Sequence, residues 1–261
     1  MNEKIKFDWI NIPEGKFPMG ITQSRFDELS KEYLTLAISD EIPRKEILVK
    51  RFEIMAYPVT YQHYKLFIEQ TGYPISAWRV NSLDEKLNHP ITNISLYDAI
   101  AFCNWAGCRL PTCVEWEKAA AGPGGLEYPW GNHWNYTYCN NSDTELSSAT
   151  TPVDYYPDGK SFYGLSDMAG NVWEWTSSTI VTNRITMAWW AYKNEKWREH
   201  RPPKNWRIEG YDLIGDNFSE YYIMKGGAAN SNKFGLRSSF SLKVGNPKTY
   251  GDFFGFRCVK L

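Results

Sequence analysis

Thiols and imidazoles are the side chains best suited to redox or metal chemistry, and this 261-residue sequence carries five cysteines and four histidines. Cys103, Cys108, Cys113, Cys139 and Cys258 are odd in number and include no Cys-x-x-Cys pair, the usage of reduced thiols rather than of a disulfide framework. His63, His89, His133 and His200 stand singly, whereas a zinc site needs Cys and His ligands clustered at short spacing. Each histidine therefore reads as a satisfied surface or core residue, and a three-histidine iron site would have to be assembled from across the fold. A second concentration of reactive surface is Lys196-Trp197-Arg198-Glu199-His200-Arg201, closed by Pro202-Pro203, with Trp189, Trp190 and Trp206 nearby. Basic residues interleaved with tryptophans can stack on single-stranded nucleic acid, but Glu195, Glu199, Glu209 and Asp212 cancel much of that charge.

Whole-chain charge points the same way. Twenty-nine basic and 30 acidic residues leave a net charge of −1, without the long-range field that nucleic-acid or anionic-membrane binding relies on. No apolar run approaches the roughly 18 residues of a membrane span, and Met1 to Lys6 lacks the apolar stretch of a signal peptide, so a cytoplasmic chain is expected. The Asn-x-Ser/Thr triplets at Asn93, Asn135, Asn140 and Asn217 are then coincidental.

The elements that must position any site can be placed from their ends. Phe7 to Ile12 alternates apolar with polar and stops at Pro13-Glu14-Gly15, which predicts a short strand and a turn; a second strand region runs from Ile47 to Val59. Three helices start at a hydroxyl cap and close on glycine: Thr60 to Thr71 with Gly72, Ser95 to Ala106 with Gly107, and Thr112 to Ala121 with Gly122. Ser95 with Asp98 and Thr112 with Glu115 fit the capping box, in which the cap hydroxyl and an acidic side chain three residues on satisfy orphan amides reciprocally. Beyond Gly122 helical periodicity all but vanishes, leaving short apolar segments between Gly, Pro, Asn and Asp. Twelve Trp, 17 Tyr and 13 Phe suit such a loop-rich core, because each ring buries a large area while Tyr and Trp keep a polar handle for stray backbone groups. No flexible linker interrupts the chain. A single α+β domain over 1–261 is expected, with a Trp-rich insertion at about 177–222.

Three stretches go beyond composition: Arg109-Leu110-Pro111-Thr112 with Glu115-Trp116-Glu117; Tyr128-Pro129-Trp130-Gly131-Asn132; and Gly164 to Thr176, which contains Gly170-Asn171-Val172-Trp173-Glu174-Trp175. With Lys225-Gly226-Gly227, Leu236-Arg237-Ser238 and Gly255-Phe256-Arg257-Cys258, they resemble the formylglycine-generating enzyme family, the sulfatase-modifying factors, from about Trp9 to Cys258. The resemblance implies a C-type-lectin-like fold of short antiparallel strands, two to three helices and long loops. It also implies a structural calcium, held by the side chains of Asp167 and Glu174 and the carbonyls of Gly170 and Val172, and a second site near Asn140 and Asn141 whose acidic loop is short here.

Catalysis is where the resemblance breaks. The family's enzyme holds copper(I) with two cysteines between the glycine pair and the arginine-serine segment and uses dioxygen to oxidise a substrate cysteine. Here Ser231 and Leu236 stand at those positions, and neither a hydroxyl nor an isobutyl group replaces a thiolate on copper. Copper-dependent formylglycine generation is therefore not expected. The reading is a non-catalytic recognition module that binds a protein or small ligand through its C-terminal loop, at Asn230, Ser231, Asn232, Phe234 and Arg237, together with Trp189, Trp190, Trp197 and Trp206. Part of this fold family serves as the variable, target-binding protein of diversity-generating retroelements. The alternative is a modifying oxidoreductase with a different metal set, in a cleft lined by Trp173, Ser231, Arg237 and Arg257.

Overall fold

The expected opening strand forms as β1 (Trp9–Ile12), and Pro13 and Glu14 turn the chain into β2 (Gly15–Met19). A helix that the sequence reading passed over, α1 (Gln23–Glu32), follows. Its polar composition hid it: the segment has few apolar residues to set a period, although Thr22 caps its start by accepting from the Arg25 amide. The single strand region expected from Ile47 to Val59 divides at Lys50-Arg51 into β3 (Lys45–Val49) and β4 (Phe52–Met55). The computed structural model describes residues 6–32, 40–74, 86–144, 146, 149–181, 198–199 and 220–261.

The three helices read from their caps are present as α2 (Tyr61–Thr71), α3 (Leu96–Ala106) and α4 (Cys113–Ala121). Thr60, Ser95 and Thr112 are the N-caps, and Asp98 and Glu115 return the reciprocal bonds of the two expected boxes. His63 completes a third box with its imidazole, accepting from the Thr60 amide at 3.3 Å. After Ala121 the described residues contain only strands, loops and the 3-10 turns Tyr136–Tyr138 and Pro157–Gly159.

The remaining strands are β5 (Cys108–Arg109), β6 (Trp173–Val181), β7 (Arg198–Glu199), β8 (Glu220–Lys225), β9 (Leu242–Val244), β10 (Thr249–Tyr250), β11 (Phe254–Phe256) and β12 (Val259–Lys260). One four-stranded sheet runs β1-β4-β12-β5 and the other β11-β6-β8-β9; β2 pairs β3, and β7 pairs β10. Among the described residues pairing is antiparallel with one exception: β11 lies parallel to β6, with Phe254 opposite Trp173 and Phe256 opposite Trp175.

Aromatic rings fill the space between loops and helices, as the composition requires. Phe102 of α3 packs within 5.3–5.7 Å of Tyr64, Phe67, Trp105 and Phe256, tying α2 and α3 to β11. On the other side, Trp116 and Ala120 of α4 are buried with Ile12, Phe17 and Phe52. Trp189, Trp190, Trp197 and Trp206, expected as part of a binding surface, lie outside the described residues.

Candidate functional site

The Gly-Asn-Val-Trp-Glu-Trp string begins in a turn and becomes β6, so its side chains alternate across a sheet that is covered on both faces. Trp173 and Trp175 are buried, the latter donating its indole N–H to the Ile94 carbonyl at 2.8 Å. Glu174 points the other way into a second buried layer, where Arg257 grips it bidentately at 2.6 and 2.7 Å and the Trp116 indole donates to the same carboxylate at 2.9 Å. Arg257 also donates to the carbonyls of Ser166, Asp167 and Met55, so the guanidinium has a partner on every nitrogen. Two further buried ion pairs back the C-terminal loop. Lys225 meets Glu117 at 3.0 Å, and Arg237 forks onto Glu41 at 2.7 and 2.8 Å. Glu41 gave no sequence signal, and the motifs that hold Glu117 and Lys225 do not disclose their pairing, because the partners lie 196 and 108 positions apart.

This arrangement bears directly on the expected calcium. Asp167 has the features of a cation ligand: it is buried, it adopts left-handed backbone at φ 57°, and its Oδ2 has no hydrogen-bond partner. Burial pushes its carboxyl up to about 8, against the opposing pull of Arg257 and a hydrogen bond with Asn171. Glu174 does not fit the same role, since both its oxygens already serve Arg257 and Trp116. The Gly170 carbonyl accepts from the Val172 amide. At the second expected site, Asn141 donates to the carbonyls of Tyr136 and Cys139 and accepts from the Asp143 amide, while Asn140 donates to the Ala149 carbonyl. These asparagines brace a loop. Calcium takes six to eight oxygens, and the residues Asp167, Gly170, Val172, Glu174, Asn140 and Asn141 do not supply such a set.

The glycine pair is dictated by close packing. Gly226 and Gly227 have φ of 95° and 71°, and a Cβ on Gly227 would lie 2.5 Å from the Leu236 side chain. Leu236 is fully buried and shares an apolar cluster with Tyr128, Cys139 and Ala169. Ser231, at the other position where the resemblance calls for a thiolate, is also fully buried; its Oγ accepts from the Ala228 amide at 3.0 Å. Ser231 is thus a turn residue, correcting its expected place among the ligand contacts. Trp173 and Arg257 are likewise interior groups, 1% and 0% exposed.

Asn232 and Lys233 are exposed, and Asn230 is half-buried. Asn232 shapes the turn by accepting from the Phe234 amide at 3.1 Å. Phe234 and Arg237 are mostly buried, the guanidinium lying 4.6 Å over the ring, and together they floor a cleft of about 150 Å³. Its walls come from α1 through Arg25, Leu29 and Glu32, and from the loop bearing Glu127, Tyr128, His133 and Trp134. Arg25 and Glu127 pair across it at 2.7 Å, and Lys233 reaches Glu32 at 3.3 Å. Tyr128, Trp130 and Trp134 form a ring cluster at its edge, with centroids 5.2–6.0 Å apart. Among the described residues, the cleft lining contains one histidine and no cysteine.

Elsewhere His63 serves the α2 cap, burial lowering its imidazole to about 4, and His89 bonds Thr150 at 3.0 Å. Among the described residues one grouping has metal-binding geometry, the buried thiols of Cys103, Cys108 and Cys258. Separations of up to 155 residues concealed it.

The chain is 30% identical over 215 residues to the uncharacterized protein YfmG of Bacillus subtilis, an alignment covering 67% of this chain and 42% of YfmG. It is 26% identical to the formylglycine-generating enzyme of Mus musculus, over 96% of this chain and 74% of that protein. In three dimensions it superposes on Treponema denticola variable protein 1 with a TM-score of 0.64 at 16% sequence identity, covering 98% and 95% of the two chains, a likeness of fold. Residues 3–261 match the sulfatase-modifying factor enzyme 1-like domain, and the chain belongs to that family.

Proposed function

We propose that this chain is a recognition module, a family scaffold whose loop surface binds a partner without oxidising it. One observation carries the reading: the two positions where copper chemistry needs thiolates hold Ser231 and Leu236, and both side chains are consumed in packing the loop. A hydroxyl bonded to a backbone amide and an isobutyl group in an apolar cluster give a soft metal nothing to bind. The surface that remains is the cleft beneath Asn232 and Lys233, with mixed charge on its walls and rings at its edge. At about 150 Å³ it is smaller than the roughly 300–1,000 Å³ of a typical small-molecule site, and it suits an anchoring side chain of a protein or peptide. Rings and arginine are the residues that dominate such anchors.

Incubation with a cysteine-containing sulfatase-type peptide, copper(I) and dioxygen is expected to leave the peptide's mass unchanged. Conversion of its cysteine to the aldehyde would overturn the reading. For binding, peptides selected from a displayed library on the wild-type chain are expected to lose at least about tenfold affinity for an Asn232→Ala/Lys233→Ala variant. Unchanged binding would place the contact surface elsewhere. A reverse-transcriptase gene and template repeat beside the coding sequence would assign the chain to the variable proteins.

A further inference from the structure

Three cysteines far apart in sequence meet in the interior. Cys103 lies on the last turns of α3; Gly107, at φ 65°, ends that helix and turns the chain so that Cys108 opens β5 beside it. Cys258 arrives from the far end of the sequence, just ahead of β12, whose Lys260 pairs with Cys108 while the Cys258 carbonyl accepts from the Met55 amide. A helix and two hydrogen-bonded strands therefore fix the three backbones independently of the thiols. The residues are 1%, 5% and 0% exposed and belong to the apolar core that includes Phe102, Leu110 and Phe256.

The sulfur positions have the geometry of a ligand set. All three Sγ atoms lie within 4.8 Å of one another, and Cys103 and Cys258 are 3.6 Å apart. A cation at the centre of three sulfurs, with metal–sulfur bonds of about 2.3 Å, requires sulfur–sulfur spacings of about 4.0 Å, inside that range. No fourth His, Cys, Asp or Glu among the described residues joins the group. Zinc in structural sites takes four ligands and iron–sulfur clusters take four thiolates, so a dry three-thiolate set selects against both. Copper(I), soft and without a demand for a fourth ligand, matches the donors and their number.

We propose that Cys103, Cys108 and Cys258 form a buried trigonal thiolate site for copper(I), separate from the loop cleft and independent of the recognition reading. Binding is a ligand exchange: S–Cu bonds form, thiol S–H bonds break, the protons pass to solvent, and copper remains in the +1 state.

The test is anaerobic titration of the reduced full chain with copper(I) against bicinchoninate. One copper per chain is expected to be retained, with ultraviolet cuprous-thiolate charge-transfer absorbance. X-ray absorption should show three sulfur neighbours at about 2.3 Å. Loss of a direct ligand exceeds the roughly 10–100-fold cost of losing an outer partner, so Cys108→Ser should weaken binding by more than a hundredfold while Cys113→Ser leaves it unchanged. The proposal is overturned if the wild-type chain yields all its copper to the competitor, if Cys108→Ser binds as tightly, or if zinc(II) binds in preference to copper(I). A Cys103–Cys258 disulfide that survives isolation with thiol reductant and leaves Cys108 alone would overturn it as well. Should Cys108→Ser fail to fold, the X-ray absorption sulfur count on wild type decides alone.

Discussion

Asp167 is the residue whose ionisation the fold opposes most plainly. Its unfolded carboxyl ionises near about 4, whereas burial raises the folded one to about 8. Between those values the folded chain keeps a proton that the unfolded chain has released, so this group lowers stability as pH rises through the window. Asp167→Asn tolerates the same left-handed backbone and removes the ionisation. Its stability should therefore match wild type near about pH 4 and exceed it at pH 8, by the roughly 1–3 kcal/mol of an unsatisfied buried polar group. Thermal melts across that range, with EDTA and with calcium, check both the direction and the ion. A wild-type curve that calcium alone flattens would reinstate a cation at Asp167. At this scale the sequence identified the right residues more often than their work. Arg237 and Ser231 stand out by their place in a motif, but whether a side chain faces solvent or Glu41 depends on a partner 196 positions away.

Elements were legible wherever their ends carry local chemistry. Ser95 with Asp98 and Thr112 with Glu115 can be read without tertiary information because both halves of each box lie within one turn. The helix α1 lacks an apolar period, and the parallel approach of β11 to β6 joins residues about 80 positions apart, so neither is encoded locally. The glycine pair before the C-terminal loop allows a graded test of what positions that loop. Gly227→Ala meets both a left-handed backbone and the Leu236 side chain, whereas Gly72→Ala, at φ 64°, meets nothing within 4 Å. The second change should cost about 1 kcal/mol and the first roughly 1–3 kcal/mol more, from overpacking. Urea unfolding of the two variants checks the order, and equal midpoints would mean that the Leu236 cluster yields easily.

At the scale of the molecule, motif residues disclosed the scaffold because they are the ones that the architecture repeats: a tryptophan strand, a glycine pair, an arginine locked onto Glu174. Functional surface was less legible, since the cleft draws its walls from α1 and from a loop about 100 residues further on. The strand order β1-β4-β12-β5 carries one more implication, for synthesis. Residues 52–55 and 108–109 are translated early yet are joined in that sheet by residues 259–260, so the ribosome must deliver nearly everything else before that sheet has a middle. The earlier strands wait with open edges, and contacts of such long sequence separation form slowly. Nascent chains arrested before Val259 should be cut readily by protease between Ile54 and Arg109, whereas those extended past Lys260 resist. Resistance in the shorter chains would mean that the early segments find a stable arrangement of their own.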